Sequence, residues 1–334
     1  MSFYSWHKPA FDELVRRADR LPHALLIRGA SGIGKRAFAT ALARGLLCEK
    51  PLSTLVACGH CVACHWFDEG SHPDFRLLQP EADQEVGEEE SSETDKKKKK
   101  DISVAQIRQL PHFINISSHR SGPKIIIIQP AEAMNVNAAN ALLKNLEEPP
   151  ENTFFLLVTH RPQMLAATIR SRCQQIPLPM PTKEESLSWL EGVGVKNVAV
   201  ALAQAGGAPL LAQEMDNEAH WALRAQFLQA LSASPFDPLG LAEKMANESI
   251  AQLVGWLQRW TYDVSQVCFS IEPRYNPDFK EILNKLSTSV RGLEVLRFHR
   301  ELVRFQRVIN HPLNPRLLLE SFFLRYAQLV RKKN

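Results

Sequence analysis

Residues 23–47 read HALLIRGASGIGKRAFATALARGLL, a short apolar run, a glycine-rich loop and an amphipathic stretch in that order. HALLIR (23–28) has the length and composition of a buried strand, and it ends at the loop GASGIGKR (29–36). After the loop, RAFATALARGLL places Phe38, Ala41, Leu42 and Leu46 on one helical face. Strand, glycine loop and helix are the setting of a phosphate-binding loop, in which backbone N–H groups at a helix N-terminus surround an anion. The full pattern is G-x-x-x-x-G-K-[ST]. Here Gly29, Gly32, Gly34 and Lys35 supply the loop and its cation, but Arg36 stands where the Mg²⁺-binding hydroxyl belongs.

Working outward, KIIII (124–128) and TFFLLV (153–158) are uninterrupted runs of β-branched and aromatic residues, as expected of strands covered on both faces of a parallel sheet. Between them, NAANALLKNLEEPP (137–150) predicts a helix with Leu142, Leu143 and Leu146 on its apolar side, stopped by Pro149 and Pro150. DISVAQIRQLPHFI (101–114) predicts one helix carrying Ile102, Ile107 and Leu110. Alternating strand and helix from 23 to 178 makes an α/β domain over 1–179. The proline-rich IPLPMP (176–181) is the expected hinge. Beyond it Thr182 and Glu185 form a capping box at the start of a helix. The remainder, HWALRAQFLQAL (220–231), SIAQLVGWLQRWTYDVSQV (249–267) and a final segment through RLLLESFFLRYAQLV (316–330), is helical.

A chain of 334 residues exceeds the ~250–300 at which one core stops growing, so more than one domain is expected. A net charge of +4 is too small to imply nucleic-acid binding by itself. No apolar run reaches the ~20 residues of a membrane span, and MSFYSWHKPAFDELVRR lacks the apolar core of a signal peptide. A cytoplasmic protein with no membrane partner is the expectation. Residues 81–101 (EADQEVGEEESSETDKKKKKD) pair an acidic stretch with a lysine run and hold Val86 as their sole large apolar side chain. They read as a disordered insertion, since nothing there offsets the cost of ordering the backbone.

Cys48, Cys58, Cys61 and Cys64 follow C-x9-C-x2-C-x2-C. Four thiolates close a tetrahedral Zn²⁺ shell, and with no open position such a site is structural. His60, His65 and His72 lie close in sequence and could compete as ligands, although four cysteines suffice. The nucleotide chemistry is less complete. A motor of this type needs an acid at the end of the next core strand to hold Mg²⁺. The IIII strand instead runs into Gln129 and Pro130, with Glu132 three residues beyond Gln129. Hydrolysis is therefore not expected, while ATP or ADP binding at the loop stays open. Arg172, in Ser171-Arg172-Cys173, is either a surface arginine paired with a local carboxylate or a guanidinium offered to a neighbouring subunit's γ-phosphate. No carboxylate pair is spaced for two-metal nucleotidyl transfer.

The string ANALLKNLEEPPENTFFLLVTHRPQMLAATIRSRCQ, with its SRC motif at 171–173, resembles the clamp-loader branch of the AAA+ ATPases. The cysteine insertion after the first helix is similar to the zinc module of bacterial clamp-loader subunits. Trp6, Pro9 and Phe11 in W-x-x-P-x-F, GSHPDF (70–75), and LNPRLLLESFFLRY (313–326) fit the same branch. The resemblance covers nearly the whole chain. It implies a P-loop AAA+ core with a parallel sheet over 1–179, holding a zinc module at 48–64. A small helical lid over 180–214 and an all-α collar over 215–334 would follow. It also implies a place in a hetero-pentameric ring beside tau/gamma-type ATPase subunits and a delta-type subunit. There Arg172 acts in trans, and the ring places a sliding clamp on primer–template DNA. The lid segment GGAPLLA (206–212) lacks the phosphate-sensing arginine of active members, and the 81–101 insertion has no counterpart in the branch. Two other readings are an active motor using Lys35 with Glu132, and a zinc-dependent nucleic-acid-binding module attached to an inert P-loop domain.

Overall fold

The computed structural model describes residues 3–83, 100–119, 122–305 and 315–331. Five strands, β1 (Ala24–Arg28), β2 (Phe75–Leu78), β3 (Lys124–Ile128), β4 (Thr153–Thr159) and β5 (Gln174–Pro177), form one parallel sheet in the order β2-β3-β4-β1-β5. The pleat sorts each apolar run onto two faces. Leu25, Ile27, Ile125, Ile127, Leu156 and Val158 join Phe38 and Leu42 in one core, whereas Leu26, Ile126, Ile128, Phe155 and Leu157 join Leu142, Leu146 and Ile169 in another. Each such side chain withdrawn from water contributes ~1.5–3 kcal/mol, which is why unbroken apolar strands accompany a sheet covered on both sides.

Seven helices accompany these strands: α1 (Lys8–Arg16), α2 (Lys35–Leu47), α3 (Val62–Asp68), α4 (Val104–Arg108), α5 (Leu110–Asn115), α6 (Val136–Glu147) and α7 (Ala167–Arg172). Three details differ from the sequence reading. The single helix expected over 101–114 is two. Ser103 and Gln106 form a capping box that starts α4, Pro111 interrupts the backbone ladder at the start of α5, and Ile102 lies outside both, bridging to Met134. The segment read as a hinge begins as β5, whose Pro177 is tolerated because the strand is at an edge. Finally, Leu46 and Leu143 are only half-buried. Of the 81–101 stretch expected to be disordered, 84–99 lie outside the described residues, and Glu81–Asp83 form a single 3₁₀ turn.

The chain divides into two compact units, 1–181 and 182–334. The second holds α8 (Lys183–Gly192), α9 (Val198–Gln204), α10 (Pro209–Glu214), α11 (Glu218–Ser232), α12 (Pro238–Lys244), α13 (Ile250–Cys268), α14 (Lys280–Ser287), α15 (Gly292–Phe305) and α16 (Pro315–Arg331). Leu190, Ala201, Leu202 and Ala212 form a small core among α8–α10, distinct from the larger core of Phe227, Trp256, Trp260, Phe298 and Phe323 in α11–α16. A buried polar knot ties these helices together. Asp263 accepts backbone N–H bonds from Arg274, Tyr275 and Asn276 at 2.7–3.2 Å, and the Asn276 Oδ1 accepts from both Gln204 of α9 and Arg224 of α11.

Candidate functional site

The glycine loop joins β1 to α2 at the carboxyl edge of the sheet. Gly34 caps α2 with φ at 93°, a left-handed value that favours glycine. A Cβ there would also lie 2.3 Å from the Tyr4 ring, so an aromatic side chain rests directly on the loop. Tyr4 stacks on Trp6 at 4.7 Å, and the Trp6 Nε1–H donates to the Ile33 carbonyl at 2.9 Å, with His7 Nε2 2.6 Å from the same oxygen. The amino-terminal segment is thereby fastened to the residues that would surround a phosphate.

Lys35 does not project from this loop. It is 6% exposed, and its ammonium donates to the Ala30 carbonyl at 2.5 Å. Burial pulls its pKa down to about 8, partly opposed by the Glu132 carboxylate. Glu132, in a 3₁₀ turn beyond β3, is therefore the acid that acts on this lysine. One of its oxygens accepts from the His160 backbone N–H and lies 3.2 Å from His160 Nε2. The other, like Gln129 Oε1, is buried without a partner among the described residues. Burial lowers the His160 pKa. Arg36 is exposed at the first turn of α2. One carboxylate already engaged by His160, no hydroxyl at position 36 and an amide at position 129 do not make a shell for Mg²⁺, which demands near-octahedral oxygen ligands. Gly29 and Gly32 complete the loop, which departs from the full motif at positions 36 and 129.

Arg172 ends α7, immediately before β5, so it lies at the amino edge of the sheet. The register pairs Gln174 with Leu25 and Pro177 with Arg28. At ~3.3 Å per residue, that separates Arg172 from its own phosphate loop by on the order of 15 Å along the strands. Cys173 is buried in the core beneath α7, where desolvation raises its thiol pKa to about 11, while Ser171 caps back to Thr168. The guanidinium donates to the Thr168 carbonyl at 3.0 Å and forms an ion pair with Glu147, the last residue of α6. The pairing with a local carboxylate foreseen as one alternative is present. Both partners remain substantially exposed, at 34% and 47%, so the pair can open cheaply.

The four cysteines converge. Cys48 caps the end of α2, Cys61 starts α3 and Cys64 lies within it, and all four Sγ atoms lie within 4.8 Å of one another. The Cys48–Cys61 and Cys58–Cys64 separations are 3.9 and 4.0 Å. Zn–S bonds of ~2.3 Å at tetrahedral angles place sulfurs ~3.8 Å apart, so the cluster fits such an ion. His60, His65 and His72 are not part of it: His72 accepts the Asp74 backbone N–H instead. The excursion docks at Gly45, where a Cβ would lie 1.9 Å from the Leu55 carbonyl oxygen, and an Arg44–Asp68 ion pair of 2.5 Å holds its far side.

The sequence reading named Lys35, Arg172 and the cysteines, and the structure brings the four cysteines together. It paired Lys35 with Glu132 in the motor alternative, and it did not name Tyr4, for which no signal exists in one chain.

The family described as "DNA polymerase III, delta subunit" matches residues 7–182, and "DNA polymerase III, delta subunit, C terminal" matches 218–328. The DNA polymerase III subunit delta′ of Pseudomonas aeruginosa is 36% identical over 342 residues, covering 98% of each chain. The Escherichia coli subunit of the same name is 35% identical over 239 residues, covering 70% of this chain and 67% of its own. That of Haemophilus influenzae is 33% identical, over 78% of this chain and 77% of its own.

Proposed function

The chain belongs to the delta′ family of DNA polymerase III subunits, and we propose that within a clamp loader it is the arm that completes a neighbour's catalytic centre rather than running its own. The observation that carries this reading is the placement of Arg172 at the opposite edge of the sheet from its own phosphate loop. A guanidinium so mounted has no role in a nucleotide bound to the same chain, but it is free to enter a site formed by the next subunit. Leaving Glu147, Arg172 would meet the γ-phosphate held by an adjacent motor subunit and neutralise charge developing there, a contribution of ~10³–10⁵ in rate when given in trans. The phosphate loop, with Lys35 turned onto Ala30 and Arg36 in place of a hydroxyl, supports a non-hydrolysing part.

The remaining assignments follow. Zn²⁺ held by Cys48, Cys58, Cys61 and Cys64 would serve structure, since four thiolates leave it no open position. The partners would be tau/gamma-type motor subunits and a delta-type subunit in a hetero-pentameric ring, acting in the cytoplasm to place the sliding clamp on primer–template DNA. Nucleotidyl transfer would belong to the polymerase holoenzyme that the ring serves.

Reconstitution with the motor subunits tests the proposal. Arg172→Ala should leave ring assembly intact and cut DNA-stimulated ATPase by ~10³-fold or more; unchanged turnover would overturn it. One observation favours a self-sufficient motor instead, the action of the buried Glu132 on Lys35. Metal-dependent ATP turnover by the purified chain, abolished by Lys35→Ala and by Glu132→Gln, would establish that reading.

A further inference from the structure

Arg172 is held in place by a residue of another helix. Ile169 of α7 packs with Leu142 and Leu146 of α6 in one core, and the last residues of the two helices, Glu147 and Arg172, meet as an ion pair. The guanidinium has two anchors there. The Thr168 carbonyl, which accepts at 3.0 Å, belongs to α7 and travels with Arg172, whereas the Glu147 carboxylate belongs to α6. Arg170, in the same last turn of α7, forms no ion pair among the described residues, and neither does Glu148, next to Glu147. The contact joins 147 to 172 alone.

The stability of the fold does not account for this carboxylate. At the last position of α6 a negative charge lies at the negative end of the helix dipole, where an acid weakens the helix and a cation strengthens it. An exposed ion pair returns a stabilisation of about the same size as that penalty, and salt screens it. An uncharged residue at 147 would therefore leave the helix at least as stable. What the carboxylate adds is direction. It draws the Arg172 side chain onto α6, and a guanidinium so engaged has to be released before it can offer its fork to a second anion.

We propose that Glu147 is a positioning residue, which holds Arg172 against α6 in the free chain and sets how readily the guanidinium is presented to a phosphate in an adjacent subunit. The inference rests on the reading of Arg172 as a contribution in trans and adds the group that restrains it. The exposure of both partners keeps the restraint weak enough for a docking subunit to displace it. Once Arg172 has moved, the carboxylate left behind carries the same sign of charge as the phosphate, which favours the return of the side chain.

Glu147→Gln keeps the size of the side chain and removes its charge. In the ring reconstituted with motor subunits, this variant should raise kcat of DNA-stimulated ATP hydrolysis about two- to five-fold at low salt with KM for ATP unchanged, the range that an exposed ion pair supplies. Glu148→Gln, which removes an adjacent charge that Arg172 does not pair with, should leave turnover as it was. In the free full-length chain labelled with ¹⁵N-arginine, the Arg172 Nε–H signal, identified by its loss in Arg172→Lys, should exchange with solvent about two- to five-fold faster in Glu147→Gln. That difference should vanish near ~1 M salt, where the screening length falls to ~3 Å. Equal exchange in the two free chains, or turnover unchanged or lowered in Glu147→Gln, would overturn the restraint. So would an equal gain in Glu148→Gln, which would mark a diffuse field rather than a contact. Unchanged turnover in Arg172→Ala would overturn the trans reading itself, and is thereby told apart from a failure of Glu147 alone.

Discussion

Lys35 shows how far a single residue can be read. Its spacing from Gly29 marked a candidate phosphate loop, but nothing in the sequence indicated that the ammonium would be buried and turned onto Ala30. The buried charge has a measurable cost. The free-chain value is 10.5 and the folded value about 8, so the folded state holds the proton less tightly. Stability from this group is complete above the unfolded value and is lost as pH falls toward 8, leaving a deficit of about 3 kcal/mol at neutral pH. Lys35→Met should therefore stabilise the protein at pH 7 by about 1–3 kcal/mol, less the lost bond to Ala30. The gain should fade between pH 8 and 10, as urea denaturation across that range would show. A gain that does not depend on pH would mean the lysine is not titrating in this window. Arg172 was legible in a different sense. The SRC triplet marked it, yet both of its foreseen roles were open, and only the placement of Glu147 at the end of α6 shows where the side chain rests in the isolated chain.

At the level of elements, legibility followed burial. The strands 124–128 and 153–159 announced themselves because both faces are covered, whereas β5, with the sequence QQIP, carries neither alternation nor an apolar run and lies at an edge. Its position is set by pairing with β1, a non-local fact. The split of 101–114 was readable in principle from Pro111 and from Ser103 three residues before Gln106. The cysteine excursion is the element that the proposed Zn²⁺ would order. Stripping the metal with a chelator, or Cys64→Ser, should expose 49–60 to proteolysis while the sheet keeps its circular dichroism signal; unchanged protection would mean that docking at Gly45 suffices. In the helical unit, the Trp260 Nε1–H donates to the Tyr326 hydroxyl at 2.9 Å, and that hydroxyl donates to the Leu231 carbonyl at 3.2 Å, linking α13, α16 and α11. Tyr326→Phe leaves both partners buried and unpaired, and should cost about 1–3 kcal/mol in chemical denaturation.

On the scale of the molecule, composition and the change from alternating to helical patterning near 180 announced more than one body, and the compact units meet at Pro181 and Thr182. Each unit buries its own apolar side chains, so a fragment of residues 1–181 should fold by itself with a cooperative melting transition. A fragment that remains unfolded would mean that the first core needs the second unit. What the sequence could not convey is how α13, α15 and α9 leave room around Arg259, since a cavity belongs to no single stretch of chain. The bend after α7 also bears on how this lineage can vary. Cys173 is anchored in the core and β5 begins at once, so the aim of residue 172 is set by the length of the bend as much as by the letter at that position. One residue inserted between Ile169, which the core holds, and Arg172 would rotate the guanidinium by about 100° around the helix. Deletions and insertions at this point should therefore be tolerated far less than substitutions, whatever amino acids they bring.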